Sequence, residues 1–143
     1  MASDRELAEK VVGHMLARDN FSRWLGVELL SVAPGRAELA MTVREDMLNG
    51  FGVCHGGVTF SLADSALAFA SNTHGRVTVS IENSMAYPAK VSLGDRLTAV
   101  ARELSAGYRI ATYEVLVNLD DGTKVGIFRG TVYRGSQPHF PEA

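Results

Sequence analysis

The sequence predicts an α+β domain in which one long helix packs against a mostly antiparallel sheet, on three grounds. The hydrophobic period switches along the chain in the order helix, two strands, long helix, four strands, which is not the alternation of strand and helix that a doubly wound parallel sheet requires. The 143 residues are 46% hydrophobic and 21% charged, and at this length a single compact fold buries roughly 68% of the unfolded chain's surface without metal or disulfide support. Val58 to His74, a stretch of helical length with a single ionised side chain, lies in the middle of the chain, where a helix surrounded by strands would be enclosed.

Each element has its own signal. Ser3-Asp4-Arg5-Glu6 has capping-box spacing, so a helix is expected to run from there to about Arg18, with Leu7, Val11 and Met15 on one face and Val12 and Leu16 beside them. Phe21, Trp24 and Leu25 then lead into the body of the domain, closing a helical extension over about residues 3–25. Ala37, Leu39, Met41 and Val43 alternate with Arg36, Glu38, Ala40 and Thr42, a half-buried strand. The Pro34-Gly35 turn before it makes Val27 to Ala33 its antiparallel partner. After a glycine-dense loop, Met47 to Gly57, comes the helix Val58 to His74. Val77, Val79 and Ile81 restart the strand period, which Pro88 limits. Strands over about Arg96 to Leu104, Arg109 to Leu119 and Thr123 to Tyr133 follow, the last two joined by Asp120-Asp121-Gly122. The whole chain, 1–143, is expected to form a single domain with a flexible tail over about 135–143.

Charge and cysteine content narrow the function. Fourteen basic against sixteen acidic residues leave a net charge of -2, with no basic field to displace counterions from a nucleic acid. The lone cysteine, Cys54, can neither form an intrachain disulfide nor supply a multi-cysteine metal site. No apolar run approaches the roughly 20 residues of a membrane span. Met1-Ala2-Ser3-Asp4-Arg5-Glu6 is too charged to open a signal peptide's apolar stretch, and Pro141-Glu142-Ala143 carries no lipidation signal. A cytoplasmic protein is expected.

Among the seventeen residues Val58 to His74 the only fully ionised side chain is Asp64. A helical projection places it on one stripe with Ser61, Ser65, Ala68 and Asn72, among small side chains. An isolated buried carboxylate is costly, so it either serves a reaction or is satisfied structurally by hydrogen bonds. Upstream, Asn49-Gly50-Phe51-Gly52-Val53-Cys54-His55-Gly56-Gly57 opens the helix. The P-loop pattern fails, since no lysine lies between Lys10 and Lys90, and the dinucleotide fingerprint starting at Gly50 would need glycine where His55 stands. What remains is a His-Gly-Gly entry whose first helical N–H groups can donate to an oxyanion or a polarised carbonyl, or a capped helix start with tight loop geometry.

The run Met47-Leu48-Asn49-Gly50 through Cys54-His55-Gly56-Gly57, followed by Phe60-Ser61-Leu62-Ala63-Asp64-Ser65, resembles the phenylacetic-acid-degradation (PaaI-type) thioesterases of the hotdog superfamily. Gly94-Asp95-Arg96-Leu97-Thr98-Ala99 and Gly126-Ile127-Phe128-Arg129-Gly130 look like later strands of that family, so the resemblance spans roughly residues 20–134. It implies a hotdog fold, a long helix wrapped by an antiparallel sheet, that dimerises into a continuous sheet and often pairs again into a tetramer. It also implies Asp64 as the catalytic carboxylate, the Gly56 N–H as the group polarising the thioester carbonyl, His55 holding loop and thioester, and Asn49 orienting substrate or the attacking group. Ser65, Phe51 and Gly57 are implied at the substrate, and no metal or bound cofactor is implied. Tyr87-Pro88 departs from the bulky or basic residues common before the proline in relatives, which bears on contacts to the coenzyme A arm.

Other candidates are weaker. Cys54 beside His55 is poorly placed as a nucleophile and base, since neighbours in sequence on a loop seldom orient that way. His14, His55, His74 and His139 are dispersed, and Asp120 and Asp121 read as turn residues. The expectation is a thioesterase acting on aryl or arylacetyl-CoA, with phenylacetyl-CoA as model substrate. The alternatives are a noncatalytic acyl-CoA-binding protein, for which a buried carboxylate has no use, and a hotdog dehydratase for 3-hydroxyacyl thioesters, which lacks a histidine on the helix stripe. If the helix begins near Gly56, Asp64 lies roughly 12 Å along it, too far for both to reach one thioester. A dimer with antiparallel helices and composite sites is therefore expected.

Overall fold

The computed structural model describes residues 3–141. Helix α1 (Asp4–Ala17) starts at Ser3, whose hydroxyl oxygen accepts the Glu6 N–H at 3.1 Å. The extension does not continue as one helix: α2 (Asn20–Leu25) is a separate turn and a half, capped by Asp19 and stopped by Gly26 at φ 82°. Then come β1 (Glu28–Ala33) and β2 (Arg36–Thr42), a short 3₁₀ turn at Glu45–Met47, α3 (Gly56–Asn72), and the strands β3 (Arg76–Ala86), β4 (Arg96–Ala106), β5 (Ile110–Leu119) and β6 (Lys124–Pro138). The class is α+β, and six antiparallel strands in the order β1-β2-β4-β5-β6-β3 curl about α3.

Alternation along the strands sends Leu39, Leu97, Ala99, Val115, Val117 and Phe128 inward, all fully buried, against Leu62, Ala66, Leu67 and Phe69 of α3. Gly130 makes room where α3 approaches β6: a Cβ there would lie 2.5 Å from Leu67 Cδ2. Helix α3 begins two residues before the expected Val58, because the His55 ring caps it. At the other end Asn72 is buried, its amide donating to the Ala68 and Thr78 carbonyls while Oδ1 accepts the Thr78 N–H at 2.9 Å. Among the described residues no helix is long and apolar enough to cross a membrane.

Strand β3 pairs with β6 rather than with a neighbour in sequence, and so forms one edge of the sheet. One feature differs from expectation. The expected tail from 135 is instead the end of β6, paired as far as Pro138. Beyond it the His139 N–H donates to the Gly75 carbonyl at 2.8 Å, and Nε2 lies 2.7 Å from Asn72 Oδ1. Phe140 packs its ring on Lys10 and edge-on to His14, tying the chain's end to α1. Replacing His139 and Phe140 together by alanine is therefore expected to cost about 1–3 kcal/mol in urea unfolding; an unchanged midpoint would mean these contacts do not hold in solution.

Candidate active site

The glycine-dense loop delivers α3 to the sheet with the first N–H of the helix uncovered. Asn49 Oδ1 accepts the Phe51 N–H at 2.9 Å and the Val53 N–H at 3.3 Å, and Asn49 N–H donates to the Val53 carbonyl at 2.8 Å. Its side-chain oxygen thus closes a tight turn, with Phe51 at the tip, 93% exposed. The His55 N–H is held by the Met47 carbonyl at 2.9 Å, and ring Nδ1 accepts the Gly57 N–H at 2.9 Å. An acceptor at Nδ1 assigns the proton of the neutral tautomer to Nε2. The next donor is different: the Gly56 N–H, first of the helix, has no partner among the described residues. The helix dipole reinforces it as a donor to developing negative charge. The Gly56 carbonyl accepts from the Tyr87 hydroxyl at 3.0 Å, so Tyr87 folds over the helix start.

Two turns further on, Asp64 is half-buried on the one line of α3 that the sheet leaves partly open, with Gly57, Ser61 and Ala68. Its Oδ1 accepts from Asn83 Nδ2 of β3 at 3.3 Å. Burial, and then the negative charge of Asp19, push its carboxyl above the ordinary carboxylate range; the Asn83 hydrogen bond opposes them. A carboxylate moved toward neutral pH is a stronger base than a surface one.

The expected stripe divides. Ser65 turns away from the open line: it is buried, with Oγ 2.7 Å from Ser22 Oγ, and Ser22 in turn donates to Asp19 Oδ2 at 2.7 Å. Ser65 therefore anchors α3 to α2 rather than facing a substrate, because at this point of the helix α2 closes over it. Asn72 is likewise consumed by the fold, and the Gly57 N–H is taken by His55. Cys54 is buried and its thiol is pushed up by that burial, the opposite of an activated nucleophile.

Gly56 and Asp64 are not brought together in one chain. Eight residues of helix separate them, a rise of roughly 12 Å, and the surface grooves along β3 and β6, one lined by Val77, Val79, Arg109 and Tyr133 and a roomier one by Ser84, Met85, Ile127 and Phe128, are lined by neither. Asn83, Tyr87's bond to Gly56, and the Asp19–Ser22–Ser65 chain were not evident from sequence. Asn83 sits in a polar run, Glu82-Asn83-Ser84, and a register shift between Ser80 and Glu82 decides which of these side chains points inward. Asp19 and Ser22 carry a short-range capping signal but none for their contact with α3.

Comparison with known proteins agrees with this architecture. The profile of the thioesterase superfamily matches residues 51–126, which includes α3 and β3 to β5. A putative esterase of Archaeoglobus fulgidus is 36% identical over 98% of this chain and 91% of its own. Acyl-coenzyme A thioesterase PaaI of Escherichia coli is 35% identical over 84% of this chain and 86% of its own. The solved structure of that PaaI protein superposes with a TM-score of 0.93 over 95% of this chain and 99% of the other. Human acyl-coenzyme A thioesterase 13 is 31% identical over 95% of this chain and all of its own. With a hotdog sheet wrapped about a helix that begins His-Gly-Gly and carries one carboxylate, the chain belongs to the thioesterase superfamily, as a thioester hydrolase of the PaaI-like kind.

Proposed function

We propose that this protein hydrolyses acyl-CoA thioesters, aryl or arylacetyl-CoA in particular, to the free acid and coenzyme A in the cytoplasm, with Asp64 as nucleophile or general base. The observation that carries this is a half-buried carboxylate with a raised pKa on an otherwise uncharged helix whose first N–H has no partner among the described residues. The preference for an aryl group is supported by the likeness to a protein from the phenylacetic acid degradation operon. Mere binding of acyl-CoA gives no reason to hold such a carboxylate. Dehydration would call for a histidine on the open line of α3, where Gly57, Ser61, Asp64 and Ala68 stand.

In the proposed reaction the thioester carbonyl oxygen rests on the Gly56 N–H, which stabilises the oxyanion as the carbonyl carbon becomes tetrahedral. His55 and Asn49 hold the shape of the loop that presents this N–H. Asp64 either takes a proton from the water that attacks, or attacks and forms a mixed anhydride that water then opens. Both routes have one balance: water adds across the C–S bond, the acid leaves with the new oxygen, and coenzyme A leaves as the thiol.

Reacting atoms must approach to about 3–3.5 Å, so the two groups must come from two chains. Antiparallel helices related by a two-fold axis set the Gly56 end of one beside Asp64 of the other. The open line of small residues on α3 suits a close partner helix. Edge strand β3 has unpaired backbone groups that a second copy can extend into a continuous sheet. Val79 and Ile81, each 57% exposed, with Val77 and Tyr133 nearby, leave an apolar outer face that favours a second pairing into a tetramer.

Thiol release should be measured over a panel of acyl-CoAs, with wild type and Asp64→Asn side by side. Aryl thioesters are expected to turn over well above short aliphatic ones, and Asp64→Asn to fold normally while losing at least about a hundredfold in kcat. Near-normal turnover by the variant would remove Asp64 from the mechanism. For the composite site, Asp64→Asn and a bulky Gly56 variant, both inactive, should be mixed under conditions of subunit exchange. Each mixed dimer then holds one doubly defective and one intact site, and about a quarter of wild-type activity returns. Confirmed exchange with no recovery would place both groups in one chain.

A further inference from the structure

We propose that Asn83 is a positioning residue for Asp64: its side-chain amide holds carboxylate Oδ1 and leaves Oδ2 as the oxygen that reacts. This rests on Asp64 being the catalytic carboxylate. Asn83 is on β3, and the register shift between Ser80 and Glu82 turns its side chain inward, opposite Gly130 of β6. Both amide hydrogens are spoken for, since Nδ2 donates to Asp64 Oδ1 and to Ser80 Oγ, each at 3.3 Å. The amide oxygen is buried with no hydrogen-bond partner among the described residues. A Cβ at Gly130 would lie 2.7 Å from that oxygen, so the β6 glycine is what lets the amide fit.

A buried, unpartnered carbonyl oxygen costs stability, and an apolar side chain of the same size would avoid the cost. Rotating the amide would satisfy nothing at Asp64, because it would set oxygen against the carboxylate. The arrangement is therefore a poor way to stabilise the sheet and a good way to orient a carboxylate. With one lone pair of Oδ1 engaged by the amide, Oδ2 is the oxygen of Asp64 that keeps both of its lone pairs, and the bond restrains the rotation that would spread reactive geometry over both oxygens.

The charged group that acts on Asp64 from α2's side is Asp19; α3 contributes none besides Asp64 itself. Glu82 on β3 and Arg129 on β6 are exposed and, by strand alternation, lie on the outer face of the sheet. Asn83 favours the ionised carboxylate and Asp19 disfavours it. Losing the amide donor must therefore move the acid limb of kcat/KM to higher pH, and losing the Asp19 charge must move it to lower pH.

The test is steady-state kinetics against pH for Asn83→Ala, the isosteric Asn83→Asp, Asp19→Asn, which keeps a capping side chain, and Asp64→Asn. Both Asn83 variants are expected to lose about ten- to a hundredfold in kcat with KM within about twofold of wild type, and to shift the acid limb up by about one pH unit or more. Asp19→Asn is expected to shift it down. Folded Asn83 variants with wild-type kcat and an unmoved limb, beside an inactive Asp64→Asn, would overturn the role of Asn83 alone. Loss of folding in both Asn83 variants would assign the residue to the core and overturn it equally. Near-normal activity of Asp64→Asn is the separate result that removes the catalytic carboxylate itself.

Discussion

A carboxylate on a helix inside a sheet is the constraint on which the rest of this protein turns. Taking Asp64 out of water is unfavourable unless something holds it, and α3 offers nothing of its own: its other side chains are small, apolar or hydroxylic, except Asn72, whose amide is taken up by Ala68 and Thr78. The support comes from outside the helix. Asn83 on an edge strand binds one carboxylate oxygen, and Asp19, linked through Ser22 to Ser65, pins the adjacent residue of α3 against α2 while its charge raises the energy of the ionised form. The N-terminal extension is thus part of the apparatus that fixes Asp64, and not simply an addition to the core.

The helix also sets a length that one chain cannot bridge. Its N–H donors are at Gly56 and its carboxylate is about 12 Å further on. Helix dipole and capping make the N-terminus the right place for an oxyanion donor, and the middle of the helix is where the sheet is closed enough to shift a carboxylate. Each group is at the position its own physics favours, and the proposed reaction, which needs both at one thioester, does not fit inside one protomer. The proposed two-fold dimer would reconcile them, and the open line of α3, the edge of β3 and the apolar outer face of the sheet are features that such an assembly would cover.

The two periods, 3.6 and 2, make the elements legible from sequence, and the scarcity of charge in α3 singles out Asp64 from sequence alone. Strand order is not legible, since alternation in β3 looks the same whether its partner is β4 or β6. Asn83 is hidden by the register shift at Ser80/Glu82, which breaks the simple parity from which an inward side chain is inferred. The projection of α3 at 100° per residue grouped Ser65 and Asn72 with Asp64, but α2 covers the first and the start of β3 satisfies the second. The segment ending in Pro138-His139-Phe140-Pro141 reads as a tail because no helix follows it, whereas pairing with the edge strand carries β6 on to Pro138.

The most direct test is a crystal structure with a non-hydrolysable arylacetyl-CoA analogue. The account predicts the analogue's carbonyl oxygen about 3 Å from the Gly56 N of one subunit, with Oδ2 of Asp64 from the other subunit within about 3.5 Å of the carbonyl carbon or of a water poised on it. An analogue bound against Gly56 and Asp64 of the same chain, or away from Asp64 altogether, would contradict it.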